Sequence, residues 1–227
     1  MKVREQVLLQ GVVGSTAYGL ATPESDVDRL GIFAWPTSRL LGLVVPKSTL
    51  DSHDPDICLH EAGKAVRLLL GGNPTVNEIL WLEEYEVTTP LGSELIGIRS
   101  SFLCAHRVKG AYLGYATEQF RRLLNRGKFD SDVPERRVAK HARHLMRLVD
   151  QGFSLYTTGE LTVRLADPQR YRDFGEAVEK DPQAAVPFMA TAEEAFKRAT
   201  TVLPQEPDFW MIEQWLQKVR YELYEAP

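Results

Sequence analysis

Two aspartates at alternate positions, Asp26 and Asp28, follow a Gly14-Ser15 pair across a short, turn-rich stretch. Alternate side chains of a strand point to the same face, so both carboxylates would lie on one side while Val27 points into the core. Neighbouring carboxylates repel each other unless a cation neutralises them, and oxygen ligands suit Mg²⁺. Gly14-Ser15 falls where a strand meets a short helix, and free backbone N–H groups there favour an anion. The spacing therefore predicts a site for a nucleoside triphosphate and its magnesium ion.

The elements that must position these residues follow from the order of apolar and helix-breaking residues. A short apolar run rich in β-branched residues indicates a buried strand, and a repeat of three to four residues indicates a helix. In chain order we expect a strand at 6–13, a short helix to about 20, a strand at 26–33, strands near 41–45 and at 51–59, a helix at 60–70 and a short helix at 75–82.

The rest of the chain has helical periodicity, apart from one short strand candidate at 161–164. The long helical segments are expected at about 99–126, 134–158, 168–201 and 207–224. Strands that come first and helices that follow indicate an α+β fold. We therefore expect an α+β domain at 1–95 with a small mixed β-sheet, followed by a helical C-terminal domain at 96–227.

The composition, 44% hydrophobic and 26% charged, is that of a globular protein with a substantial core. No apolar run approaches the length of a membrane span, and the first residues lack the features of a signal peptide. These observations predict a cytoplasmic protein with no membrane partner. The two cysteines, Cys58 and Cys104, have neither metal-ligand spacing nor a disulfide framework and are expected to be buried.

Charge is distributed unevenly along the chain. Residues 99–149 contain twelve Lys or Arg against four acidic residues, a net charge of +8, whereas the part from residue 165 onward has a net charge of −5. A basic middle segment predicts contacts with phosphates, and RNA is the expected partner. A pair of helices with solvated Lys and Arg side chains would give the same charge pattern.

The spacing of Gly14-Ser15 and Asp26-Val27-Asp28 resembles the nucleotidyltransferase superfamily related to DNA polymerase beta, in which an apolar residue and Gly-Ser precede Asp-x-Asp by about ten residues. The stretch from Gly14 to Phe33 looks like the pattern of the RNA-repair-pathway polymerase-beta family of predicted nucleotidyltransferases. Three further segments are similar to that family, namely 72–80, 140–148 and 203–208. The similarity therefore covers nearly the whole chain.

The resemblance implies transfer of a nucleoside monophosphate from an NTP to a hydroxyl of RNA, either a tRNA-like molecule or a repaired RNA end, with release of pyrophosphate. Members of the superfamily use three acidic residues and two Mg²⁺ ions. In this sequence Asp26 and Asp28 match the first two, and Asp56 is the best match for the third because an apolar run follows it. Asp54 and Asp51 remain alternatives for that third carboxylate.

Lys140, His144 and Arg147 are spaced so that a helix would place them on one face. Similarity to the family suggests that this face binds the nucleotide, with Lys140 on a β- or γ-phosphate and Arg147 on phosphate or the RNA backbone. An exposed basic stripe is the alternative. Glu78 is expected to line the cleft, to orient Arg67 or Lys64, or to support the structure.

Two other functions fit the same motif. The acceptor hydroxyl could belong to a small molecule such as an aminoglycoside, or to a protein as in toxin–antitoxin systems. The fold could also survive as a nucleotide-binding module without catalysis, although intact Gly14, Ser15, Asp26 and Asp28 argue against a decayed site.

Overall fold

The computed structural model describes residues 6–129 and 135–224, with side chains described except at 125–129 and 135–137. Five strands form one sheet: β1 (Gln6–Val12), β2 (Arg29–Ala34), β3 (Thr49–His53), β4 (Asp56–Glu61) and β5 (Val87–Thr88). The α-helices are α1 (Gly14–Tyr18), α2 (Thr37–Leu40), α3 (Ala62–Leu70), α4 (Pro74–Glu78), α5 (Pro90–Gly97), α6 (Ala105–Phe129), α7 (Glu135–Thr158), α8 (Pro168–Lys180), α9 (Ala185–Arg198) and α10 (Phe209–Glu222). The predicted α+β class, a small mixed sheet followed by helices, is confirmed.

The strand order across the sheet is β3-β4-β2-β1-β5. β2 and β4 are parallel, and the other neighbouring pairs are antiparallel. Leu8, Leu9, Ile32 and Phe33 are among the most deeply buried residues, as expected for central strands covered on both faces. Because β2 begins at Arg29 and the parallel β4 begins at Asp56, the N-terminal ends of these two strands lie side by side, next to the motif aspartates.

The described residues group into two compact units. The first contains residues 1–103 together with 206–227, and the second contains residues 104–205. Domains were predicted at 1–95 and 96–227, and the two divisions differ chiefly in the placement of α10. Its residues Ile212, Trp215 and Val219 are buried, and the Trp215 indole donates a hydrogen bond to the Leu91 carbonyl at 2.9 Å within the first unit.

Three predicted elements are wrong in the structure. The expected strand at 41–45 is an exposed loop, in which Leu43 and Val44 lie almost entirely in solvent, and no strand forms at 161–164. Residues 51–59 are not one strand, because the turn at Asp54-Pro55 joins β3 to β4 as a hairpin. Gly42 weakens this short run because it has no side chain to pack, and Pro46, which lacks an N–H, ends it.

The predicted helix at 168–201 is two helices in the second unit. α8 ends at Lys180, and Asp181 has an extended backbone with φ −142° and ψ 100°. Pro182 explains the break, since its ring disfavours a helical conformation in the residue before it and it has no N–H to donate. The Asp181 carboxylate then accepts a hydrogen bond from the Gln183 N–H at 3.0 Å, which starts the next turn.

Packing within the second unit depends on a close crossing of α6 and α7. A Cβ at Gly152 would lie 2.5 Å from the Cβ of Tyr112, so only glycine allows the helices to approach this closely. Tyr112 is buried there and forms part of the core. Among the described residues, no helix combines the length and apolarity required to cross a bilayer.

Candidate functional site

The two parts of the predicted motif, Gly14-Ser15 and Asp26-Val27-Asp28, come into contact at Gly14 and Asp28. This residue has φ +69°, and a Cβ placed on it would lie 2.2 Å from Asp28 Oδ2. The Asp28 carboxylate therefore occupies the space that a side chain would fill, directly beside the turn from β1 into α1. The structure brings Gly14 and Asp28 together, as the sequence spacing predicts.

A short turn sets the distance between these halves. Within the turn Thr22–Ser25, the Ser25 N–H donates to the Thr22 carbonyl at 2.9 Å, and the Thr22 N–H donates to the Ser25 hydroxyl at 2.9 Å. The chain then runs back beside β1, where the Val13 N–H donates to the Asp28 carbonyl at 2.9 Å. Both aspartates are thus returned to the end of β1 from which α1 begins.

Asp26 and Asp28 lie in the extended stretch that precedes β2, which begins at Arg29. The prediction that Val27 is a core residue is wrong, because its side chain is 41% exposed. The sheet has not yet begun at Val27, so no layer covers it. Asp26 is exposed and Asp28 is partly buried, which leaves both carboxylates close to solvent.

Arg29 holds the backbone between the two aspartates, a role that sequence reasoning missed. Its Nη1 donates to the Val27 carbonyl at 3.4 Å, and its Nε donates to both Glu86 carboxylate oxygens at 2.9 and 3.0 Å. The Gln10 amide donates to Glu86 as well, at 2.9 Å. The hydrogen bond from Gln10, reinforced by Arg29, lowers the pKa of Glu86 below its usual value.

Asp56, the preferred third carboxylate, is the exposed first residue of β4. Arg29 of β2 lies beside Ile57 of β4 in the parallel register, so the same register extended by one residue places Asp28 beside Asp56. Asp51 lies on β3, one strand farther from β2, and Asp54 lies in the turn. The register therefore favours Asp56 as the neighbour of Asp28, and its role stays a prediction.

The fit of a magnesium ion can be tested on these residues. The Asp28 carboxylate beside Gly14 supplies an oxygen donor of the type that Mg²⁺ requires. In the described parts of the chain no three His, Cys, Asp or Glu side chains are grouped closely enough to hold a metal. Asp28 therefore fits a magnesium ligand by its chemistry, and the roles of Asp26 and of a third carboxylate stay predictions.

A polar cluster lies on the same face of β3 and β4 as Asp56. Lys64 of α3 donates to the Thr49 hydroxyl, which lies 3.3 Å from His60 Nδ1. Burial and the nearby Lys64 lower the pKa of His60. Burial, together with a hydrogen bond to Asp51, raises the pKa of the Cys58 thiol to about 11. Cys58 is therefore a protonated thiol at neutral pH. It is only half-buried, whereas Cys104 is buried as expected.

Glu78 is fully buried at the end of α4, and its Oε2 accepts a hydrogen bond of 2.6 Å from the Tyr18 hydroxyl at the end of α1. Sequence reasoning named Arg67 and Lys64 as the residues that Glu78 could orient, and it missed Tyr18. The signal that could have found the pair is that each residue lies within a segment similar to the same family.

The helix-face residues Lys140, His144 and Arg147 lie on α7 in the second unit. Lys140 is exposed, whereas Arg147 is only 3% exposed. Arg147 Nη1 donates to the Gln151 side chain at 2.6 Å, and Nη2 lies 2.9 Å from His144 Nδ1. Burial, helped by Arg147, lowers the pKa of His144 to about 3, so this imidazole is neutral and accepts the hydrogen bond. The binding of nucleotide by these three residues stays a prediction.

Several cations of the basic segment 99–149 have partners inside the protein. The Arg99 guanidinium stacks on the Trp81 ring at 4.0 Å, and Lys109 donates to the Phe196 carbonyl at 3.0 Å. Arg121 and Lys140 are exposed. The segment therefore offers fewer cations to a phosphate ligand than its net charge suggests.

Comparison with known proteins supports the resemblance seen in the sequence. The model of the RNA repair pathway DNA polymerase beta family matches residues 2–184, which include the sheet, the Gly14 turn, both motif aspartates and helices α6 to α8. The chain therefore belongs to this family. No curated protein matches its sequence.

Proposed function

We propose that this member of the RNA repair pathway DNA polymerase beta family is a magnesium-dependent nucleotidyltransferase. It transfers a nucleoside monophosphate from an NTP to a hydroxyl of RNA and releases pyrophosphate. The observation that carries the proposal is the close approach of the Gly14 turn to the Asp28 carboxylate, where a Cβ would lie 2.2 Å from Oδ2. The turn proposed to bind phosphate and the carboxylate proposed to bind the cation are therefore adjacent.

The reaction requires one bond to form and one to break. The acceptor hydroxyl oxygen attacks the α-phosphorus, the bond from that phosphorus to the bridging oxygen of the β-phosphate breaks, and pyrophosphate departs. Asp26 and Asp28 would hold the Mg²⁺, which supplies positive charge against the triphosphate when bound. Because Gly14 has no side chain, the Asp28 carboxylate lies directly beside the turn, and the Ser15 hydroxyl can donate a hydrogen bond to a phosphate bound there.

Asp56 is proposed as the third carboxylate, shared with a second Mg²⁺ near the acceptor hydroxyl. The parallel register of β2 and β4, extended by one residue, supports this choice because it puts Asp56 next to Asp28. Asp56→Asn should abolish transfer while keeping NTP affinity within about threefold of the parent. An equal loss of both would assign the third acid to Asp51 or Asp54.

Lys140 and Arg147 are proposed to bind the triphosphate or the RNA backbone, with His144 beside them. Lys140 is exposed and available for such an interaction. Arg147 would have to exchange its present partners, Gln151 and His144, for a phosphate. Lys140 is therefore the better first target for mutagenesis.

One observation favours a second candidate function, a nucleotide-binding module without turnover. In the described residues no third acidic side chain is grouped with a metal-binding pair. Binding of NTP that requires Mg²⁺, without pyrophosphate release over any acceptor tested, would support this module. A labelled protein or small molecule, in place of labelled RNA, would instead support transfer to another acceptor.

The proposal is tested by incubating the protein with each α-labelled NTP, Mg²⁺ and total RNA, and by resolving the species that acquires label. Asp26→Asn and Asp28→Asn should lose transfer and Mg²⁺-dependent NTP binding while they remain folded by circular dichroism. Asp173→Asn, which changes an exposed carboxylate on α8, is the matched control and should keep both activities. Pyrophosphate release by Asp28→Asn at the parent rate would refute the proposal.

A further inference from the structure

Helix α1, which carries Gly14 and Ser15, has little packing of its own. It is five residues long, none of its residues is buried, and its N-cap residue Val13 makes no side-chain hydrogen bond. A helix of this length is unstable unless tertiary contacts fix it. The position of the phosphate-binding turn must therefore be set by contacts at the ends of α1.

The interaction at the C-terminal end of α1 is strong. The Tyr18 hydroxyl lies 2.6 Å from Glu78 Oε2, within the range for a hydroxyl donating to a carboxylate. Glu78 is 0% exposed, and burying a carboxylate costs free energy unless polar groups satisfy it. An apolar residue in this place would avoid that cost, so the carboxylate needs an explanation other than stability.

Glu78 is itself held rigidly. It ends α4, whose N-cap Asn73 accepts a hydrogen bond from the Val76 N–H at 3.1 Å and whose first residue is Pro74. Val76 and Asn77 are buried on either side of this short helix. The carboxylate is thus a fixed point in the core of the first unit, whereas the residues of α1 are only half-buried.

We propose that Tyr18 and Glu78 are positioning residues for nucleotide binding. Their hydrogen bond fixes the far end of α1, and α1 in turn fixes the Gly14-Ser15 turn against the Asp28 carboxylate. The inference rests on the proposed function, because it concerns how tightly the turn binds a triphosphate. Neither residue touches the reacting atoms in this assignment.

The first experiment measures Mg²⁺-dependent NTP binding by calorimetry for Tyr18→Phe, which removes only the hydroxyl. We expect the Kd to rise about tenfold at 25 °C, the effect of losing one hydrogen bond to a charged group. Glu78→Gln, whose amide oxygen can accept from Tyr18, should stay within about threefold of the parent, and Glu78→Leu should match Tyr18→Phe. A merely structural role would lower the unfolding temperature without changing the Kd of the folded protein.

The effects of Tyr18→Phe and Glu78→Leu on the Kd for NTP should not be additive. If the hydrogen bond is the cause, Tyr18→Phe combined with Glu78→Leu should bind NTP no worse than the weaker single variant. Tyr221→Phe, on the exposed surface of α10, and Glu83→Gln, an exposed glutamate, are the matched controls and should bind as the parent does.

A second measurement does not need nucleotide. Hydrogen–deuterium exchange should become faster at residues 14–20 in Tyr18→Phe and stay unchanged at Leu8 and Leu9. If the parent binds no NTP in the presence of Mg²⁺, the proposed function and this inference both fail. If the parent binds NTP and Tyr18→Phe shows the parent Kd and the parent exchange rates, only this inference is overturned.

Discussion

Gly14 determines both the backbone conformation of the turn and the position of the Asp28 carboxylate. Its φ of +69° belongs to the left-handed region, and its missing Cβ leaves room for Asp28 Oδ2. Any other L-residue there would be strained in its backbone and would displace the carboxylate. Only glycine at this position therefore allows the turn to form with the Asp28 carboxylate beside it.

Gly14→Ala should reduce nucleotide transfer by at least about a hundredfold and lower the free energy of unfolding by about 1–3 kcal/mol, the usual cost of a non-glycine residue in a strained backbone region. Transfer is measured with labelled NTP and stability by denaturant unfolding. Gly97→Ala in α5, where an added Cβ would meet no atom within 4 Å, is the control. Equal activity of Gly14→Ala and Gly97→Ala would contradict the assignment.

His144 predicts how stability depends on pH. Its folded pKa of about 3 lies below the value near 6.5 that it has when unfolded. The unfolded state therefore binds more protons between these values, so stability is full above pH 6.5 and is lost as the pH falls toward 3. When the pH is lowered from 7 to 5, we expect His144 to reduce the free energy of unfolding by about 2 kcal/mol.

The measurement is urea unfolding of the parent and of His144→Gln at pH 7, 6 and 5. The glutamine variant should lose less stability on acidification, by about 2 kcal/mol, because it has no proton to bind. The exposed His53→Gln is the control and should follow the parent. Parallel pH curves for all three proteins would show that His144 is not the group that titrates.

Residue-level prediction succeeded for Gly14 and Asp28, which the structure brings together, since spacing and turn chemistry are local properties of the sequence. It was wrong for Val27, because the residue at which β2 begins depends on its partners β1 and β4. It also missed the link between Tyr18 and Glu78, which are sixty positions apart and meet only through tertiary packing.

Helix α10 is tied to the end of β4 by an ion pair in which Glu61 is buried and Arg220 is half-buried. Arg220 Nη1 lies 2.6 Å from Glu61 Oε1, at the junction of β4 and α3. Glu61 is buried, and its Oε2 also accepts a hydrogen bond of 2.8 Å from the Gly63 N–H. The last helix of the chain is thus part of the unit that carries the predicted site.

Arg220→Met should destabilise the first unit by about 3 kcal/mol, because it leaves the Glu61 carboxylate buried without its cation. Thermal unfolding followed by circular dichroism measures the effect. Lys218→Met is the matched control: this cation lies two positions away and pairs with Glu94 at 2.5 Å, but both side chains are exposed. We expect little change for Lys218→Met, and equal effects of the two variants would contradict the importance of burial.

Element types were predictable where the periodicity was long and the capping residues were clear, as for α3, α7 and α10. The two-residue β5 carries too few residues for any pattern. A single strand was predicted at 51–59, where the structure has the hairpin of β3 and β4. The difference lies in the turn at Asp54-Pro55, whose effect depends on which strands are available to pair.

At the scale of the whole molecule, the net charge of the basic segment overstates the number of cations that it offers to phosphates. Arg99, Lys109 and Arg147 have partners within the protein, whereas Arg121 and Lys140 are exposed. If the partner is RNA, the exposed cations should dominate the dependence of binding on salt.

Arg121→Gln with Lys140→Gln should weaken RNA binding and reduce the slope of log K against log salt by about two, because each substitution removes one cation that pairs with a phosphate. The slope is measured by fluorescence anisotropy with labelled RNA at several KCl concentrations. Lys197→Gln, which changes an exposed lysine on α9, is the control and should keep the parent slope. A slope unchanged by the double substitution would place the RNA elsewhere.

The first unit is built from two separate parts of the chain, so removing the C-terminal part should destabilise the N-terminal one. A chain ending at Gln205 lacks the buried Ile212, Trp215 and Val219, whose burial contributes several kcal/mol. Limited proteolysis should then cut within residues 6–103 much faster than in the full chain. A chain ending at Tyr224, which retains all of α10, should resist the protease, and equal cleavage of both chains would contradict the division.

The backbone N–H of Asp208 donates to the Ser101 carbonyl at 2.9 Å, so the chain leaves the first unit and re-enters it at adjacent points. Residues 104–205 are therefore a cassette: a linker of a few glycines could bridge the gap without moving either flank. Gene rearrangements that replace this cassette would keep the Gly14 turn and its aspartates intact while changing the accompanying helices.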